Sequence, residues 1–171
     1  MALVRQYGAP SYFVTFTCNP KWPEIQRNLP MYGKSPEDCP DLVARVFALK
    51  LKDLLFELTR LHVLGEVKGF VYTIEFQKRG LPHAHILLIM KSVDVPREPV
   101  AVDQVVSARL PDPVENPVAY QTVKTCMMHG PCGSLCPWAV CMEEGRCTKG
   151  YPKAFNEHTV IATDAYPQYA R

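Results

Sequence analysis

Five of the seven cysteines, Cys126, Cys132, Cys136, Cys141 and Cys147, fall within 22 residues of a 171-residue chain, and the other two, Cys18 and Cys39, lie far upstream. Evenly spread cysteines would read as a disulfide framework. A local cluster with a histidine inside it, here His129, reads as a metal knot. The asymmetry divides the chain into a regular part, 1–117, and a Cys/His-rich part, 118–171. A chain of this length can hide roughly 70% of its unfolded surface without cross-links. The opening MALVRQYGAP has no apolar signal core, so secretion and disulfides are not expected. No apolar run approaches the ~20 residues of a membrane helix. With 19 Lys and Arg against 17 Asp and Glu, the charge balance permits a nucleic-acid partner without arguing for one.

Residues 11–18, SYFVTFTC, alternate in a strand-like way and are rich in β-formers. Asn19-Pro20 ends that run, because proline biases its predecessor away from helix. Four prolines between 21 and 40 predict loop with at most a short turn. From Asp41 the pattern changes. Val43, Phe47, Leu51, Leu54, Leu58 and Leu61 recur at steps of three and four, one stripe of a helix of about 22 residues, capped by Asp41 and closed by Gly65. Residues 69–77 and 83–90 read as strands joined by Lys78-Arg79-Gly80-Leu81-Pro82, a hairpin loop with Gly80 at positive φ. The order is βαββ, and the class is α+β with a largely antiparallel sheet. Short helices are predicted over 98–109 and 118–128, and irregular backbone beyond 129.

On a strand, residues two apart share a face, so His83 and His85 stand side by side, with Ile86, Leu88 and Met90 on the other face. Counting across the loop puts Gln77 opposite His83 and Glu75 opposite His85, both on the histidine face. Two imidazoles with one or two oxygen donors suit Mn²⁺ or Mg²⁺ as well as Zn²⁺. An open position on such an ion can polarise a phosphoryl oxygen. The blander reading is a pair of locally hydrogen-bonded histidines.

Downstream, His129-x-x-Cys132 is a pair with metal-ligand spacing, and Cys141 and Cys147 can complete a Cys3His zinc site, with Cys136 as a substitute. Lys78 and Arg79 lie beside the histidine face, where a phosphate could meet them. Lys21 and Trp22 set a cation beside an aromatic ring, which suits single-stranded DNA. Each has a plain alternative: solvated loop cations, and a tryptophan in the core.

The segments FVTFTCNPKW and FQKRGLPHAHILL resemble the replication-initiator-like domain of Helitron transposases, which belong to the HUH endonucleases. TFTCNP (15–20) matches the first motif, and His83-Ala84-His85 supplies the His–hydrophobic–His signature. The resemblance continues through LPDPVENP, HGPCG, CMEEGRC and KGYPKAF. It implies a βαββ-type HUH core carrying an irregular zinc-binding appendage. It also implies a divalent metal, Mg²⁺ or Mn²⁺, on His83, His85 and a third ligand, Glu75 or Gln77, with Glu75 favoured. The activity implied is nicking and strand transfer of single-stranded DNA in rolling-circle transposition. A tyrosine attacks the phosphodiester there, leaving a 5′-phosphotyrosine and a free 3′-hydroxyl. A larger transposase chain with a helicase domain and a nuclear location follow from the same resemblance. His129, Cys132, Cys141 and Cys147 match its HGPC, CM and GxC elements.

The family's paired tyrosines, four apart on a helix, are not recognisable. Tyr166 and Tyr169 are three apart with Pro167 between them, which opposes a continuing helix. The expectation is therefore a segment cut before its nucleophile, which binds metal without cleaving by itself. Two alternatives stand beside it: a non-catalytic, zinc-stabilised DNA-binding module, and a hydrolase using metal-bound water.

Overall fold

The computed structural model describes residues 2–29, 35–77, 80–161 and 167–171, and the chain forms two compact units, Met1–Val95 and Pro96–Arg171. The sequence division at 117 follows composition, whereas the division at Val95 follows contacts. Among the described residues no helix is long and apolar enough to cross a membrane.

The first unit holds helix α1 (Ala2–Tyr7), strand β1 (Tyr12–Thr17), helix α2 (Pro23–Asn28), helix α3 (Pro40–Thr59) and strands β2 (Val67–Phe76) and β3 (Pro82–Met90). The three strands form one antiparallel sheet in the order β1-β3-β2. The class is α+β, as expected. α2 forms where the sequence predicted loop: Pro23 sits at its start, where a missing N–H costs nothing. The same effect moves the start of α3. Pro40 takes the first helical position and Cys39 precedes it with no side-chain cap, so Asp41 is not the cap. Asp41 instead lies in the first turn, where a carboxylate suits the helix dipole, and binds Arg45 one turn on at 2.5 Å.

Val43, Phe47, Leu51 and Leu58 of the predicted stripe are buried, but Leu61 is exposed because α3 ends at Thr59. Gly65 does not close the helix. It lies in the following turn at φ +101°, and a Cβ there would strike the Asp94 side chain at 2.6 Å. The stripe packs on Ala84, Ile86, Leu88 and Met90 of β3, with Tyr12, Val14 and Phe16 of β1 at the margin. Each fully buried side chain of this size contributes about 1.5–3 kcal/mol. The alternation of β3 therefore sends Ala84, Ile86 and Leu88 into the core and leaves His83 and His85 on the opposite face.

The second unit holds α4 (Pro99–Val105), shorter than predicted, and α5 (Pro117–Thr122), which continues as a π-type turn over Val123–Met127. Backbone beyond 129 is not wholly irregular. β4 (Met142–Glu143) and β5 (Arg146–Cys147) form a hairpin whose two loop residues, Glu144 (φ 49°) and Gly145 (φ 74°), both have positive φ. That is the backbone a two-residue primed turn requires. Glu-Gly signals it more weakly than Asn-Gly or Asp-Gly. The chain end is tied back within this unit: Val160 pairs with Gln168, and buried Thr159 donates to Asp103 and accepts from Ala170 N at 2.9 Å.

Candidate metal centres

The first centre sits on the face of the three-stranded sheet opposite the one that α3 covers. The register differs from the sequence count by two residues. Glu75 stands opposite His83 and Thr73 opposite His85, while Gln77 lies beyond the end of β2. The loop explains the shift: Gln77 N bonds Leu81 O at 3.0 Å and Gly80 N bonds Gln77 O at 2.8 Å, so Gln77 belongs to the turn. A slip of two preserves the face. Glu75 therefore remains with the histidines, and its Oε2 lies 3.4 Å from His85 Nε2. The two imidazoles meet edge to face with centroids 4.4 Å apart.

β1 supplies the rest of this face, which the sequence did not show because strand neighbours are not legible in one chain. Thr17 pairs with His83 and Thr15 with His85. Thr17 Oγ1 lies 2.5 Å from His83 Nδ1. Phe13 stacks on His85 with centroids 5.4 Å apart and planes at 10°. His85 Nδ1 is buried and has no hydrogen-bond partner among the described residues. His85, Glu75 and His83 thus share one open polar face, with nitrogen and oxygen donors suited to a hard or borderline divalent cation. Unlike the cluster described next, they do not form a set with every pair of ligand atoms within 4.8 Å.

The expected nucleic-acid contacts around this face are not all described. Lys78 and Arg79 lie outside the described residues, as does Tyr166. Lys21 is exposed and its backbone N–H bonds Asn19 Oδ1. Trp22 packs on Phe16 at the edge of the core, and its cation is Lys50, 5.1 Å from the ring, rather than Lys21.

The second centre lies in the second unit. The ligand atoms of His129, Cys132, Cys141 and Cys147 all fall within 4.8 Å of one another. The β4–β5 hairpin brings Cys141 beside Cys147, and only Gly130 and Pro131 separate His129 from Cys132. Cys136 stays outside the group and Cys126 is exposed. His129 Nε2 lies 3.4 Å from Cys141 Sγ and 3.5 Å from Cys147 Sγ. A tetrahedral ion with nitrogen at about 2.05 Å and sulfur at about 2.3 Å sets each N···S edge near 3.6 Å. The group is therefore at metal-binding distance and consistent with zinc.

Its surroundings favour a thiolate. Backbone N–H groups of Tyr151 and Lys149 point at the Cys147 sulfur and bring its thiol down to about 6, while burial pushes Cys132 up to about 11. The His129 ring lies on Tyr151 with centroids 4.1 Å apart and planes at 7°. No spacing in the sequence marked that stack. Beside the group runs a groove of about 840 Å³ whose lining includes Arg109, Lys153 and Arg171 and, among the described residues, no Asp or Glu.

Residues 1–88 match the family described as the Helitron helicase-like domain at the N-terminus. No curated protein matches the chain.

Proposed function

The chain belongs to the family of Helitron helicase-like N-terminal domains, and from that premise we propose that it is the part of a Helitron transposase that holds single-stranded DNA at a divalent-cation site for nicking. His83, His85 and Glu75 would hold the cation, Mg²⁺ or Mn²⁺. When bound, the ion supplies a Lewis acid for a phosphoryl oxygen and for the charge that builds on the leaving 3′-oxygen. The residues of this chain set the geometry. The sheet fixes the spacing of the two imidazoles, Phe13 fixes the His85 ring, and the open face leaves room for a strand of DNA. Tyrosine attack would break the P–O3′ bond, form a 5′-phosphotyrosine and release a 3′-hydroxyl. Neither Tyr166 nor Tyr169 is assigned that role.

The observation that carries the reading is the 3.4 Å approach of Glu75 to His85 beside His83, on the face away from the core. Electron paramagnetic resonance of Mn²⁺ titrated into the chain tests it. Saturable binding to the wild type, lost in the His83→Ala/His85→Ala double variant, is the expected result. Binding of equal strength in both would sink the proposal.

A second reading rests on the Cys/His group. Zinc on His129, Cys132, Cys141 and Cys147 would hold the second unit together as a DNA-binding module, with phosphates meeting the groove at Arg109, Lys153 and Arg171. Fluorescence anisotropy with labelled oligonucleotides separates the two. Binding that survives loss of His83 and His85 but not loss of Arg109 and Lys153 favours the module.

A further inference from the structure

We propose that Thr17 is a positioning residue for the first centre: its hydroxyl oxygen accepts a hydrogen bond from His83 Nδ1–H and so keeps Nε2 as the bare nitrogen offered to a cation. The inference rests on the metal-site reading above. An imidazole that ligates through one nitrogen carries its proton on the other, and that proton needs an acceptor to fix the tautomer and the ring. Thr17 Oγ1, 2.5 Å from His83 Nδ1, is an atom in place to take it.

The position follows from the ladder. Thr17 and His83 are direct partners across β1 and β3, and side chains so paired start only about 5 Å apart. A short hydroxyl therefore reaches the nearer ring nitrogen and leaves the farther one free. Thr17 is exposed on the β1 face that carries Phe13 and Thr15, so its side chain is not there to fill the core. The two histidines are held by different means. His83 has the hydroxyl at Nδ1, whereas His85 has the Phe13 stack and, among the described residues, no partner at Nδ1. Thr17 is thus specific to one ligand, and its loss should free the His83 ring while leaving the His85 ring fixed.

Thr17→Val keeps the β-branched shape and removes the hydroxyl; Thr17→Ser keeps the hydroxyl. Nitrogen-15 NMR of the metal-free chain reads the tautomer directly, with the His83 signals assigned by their loss in His83→Asn. The expected result is Nδ1–H at His83 in the wild type and in Thr17→Ser, and a mixture rich in Nε2–H in Thr17→Val. Mn²⁺ affinity should fall about tenfold in Thr17→Val, as for loss of other groups that orient a ligand, and stay within about twofold of wild type in Thr17→Ser. Unchanged tautomer and affinity in Thr17→Val, in a chain whose circular dichroism matches wild type, would overturn the proposal. If the His83→Ala/His85→Ala variant binds Mn²⁺ as well as wild type, the metal-site reading fails, and the NMR arm still reports on Thr17 alone.

Discussion

Glu75 stands directly opposite His83 in the antiparallel ladder, yet its carboxylate lies against His85, the next histidine along the same face, with Oε2 3.4 Å from Nε2. The diagonal matters because it ties the acid to both histidines, to His83 through the ladder and to His85 through its carboxylate. A carboxylate so placed counts as a ligand candidate more than as a stabilising ion pair. It is 67% exposed, and exposed pairs contribute little to stability.

Glu75→Ala therefore separates binding from folding. Mn²⁺ affinity should drop about tenfold or more, equivalent to about 1.4 kcal/mol, while the free energy of unfolding changes by no more than about 0.5 kcal/mol. Isothermal titration and urea denaturation of the same preparation check both. A large stability loss with unchanged Mn²⁺ affinity would mean that the acid is structural.

Phe47 is 2% exposed and stacks on Phe16, joining α3 to β1 beneath the histidine face. Phe47→Ala leaves a cavity as well as a lost transfer energy, and should cost about 3–5 kcal/mol. Against a total stability of about 5–15 kcal/mol, the urea midpoint should fall steeply.

In the second unit the cysteines should divide by geometry. Cys132→Ser, Cys141→Ser and Cys147→Ser each remove a member of the four-donor group, and metal analysis should find zinc in the purified wild type and its loss in each of the three variants. Cys136→Ser should keep it, since Cys136 lies outside the group. Equal zinc loss in all four variants would place the ligand set elsewhere.

Glu24 supplies a pH dependence whose sign follows from its partner. The hydrogen bond from Lys50, at 2.8 Å, is the main cause that lowers its pKa from the ordinary 4.5. A carboxyl lowered by folding stabilises the fold above its unfolded pKa, and that contribution is lost as the pH falls through the folded value. Wild type should thus melt higher than Glu24→Gln at pH 7, and the difference should vanish as the pH drops below about 4.5. Thermal melts at pH 7 and at pH 3 test the sign.

The sequence by itself determined which side of β3 and of α3 faces the core. Strand alternation sends Ala84, Ile86 and Leu88 one way and His83 and His85 the other, and the three-four spacing of Val43, Phe47, Leu51 and Leu58 makes the helical stripe that covers the first set. These are properties of one chain's periodicity, and they hold whichever strand lies next door. The spacing of His129 and the cysteines likewise offered a donor set, with Cys136 as a substitute, from which the tertiary structure draws His129, Cys132, Cys141 and Cys147 within 4.8 Å.

Partnership across space was decided only by the tertiary structure. The turn absorbed Gln77 through its bonds to Leu81 and Gly80, so the register moved by two and Glu75 came opposite His83. The choice of β1 as the neighbour of β3 brought Thr17 to His83 and Phe13 to His85, and the Glu144-Gly145 turn chose Cys141 and Cys147 over Cys136. A side chain's face is set by the dihedral angles of its own backbone. Its neighbours are set by hydrogen bonds between segments far apart in the chain, and those follow from the whole fold's best packing rather than from any local pattern.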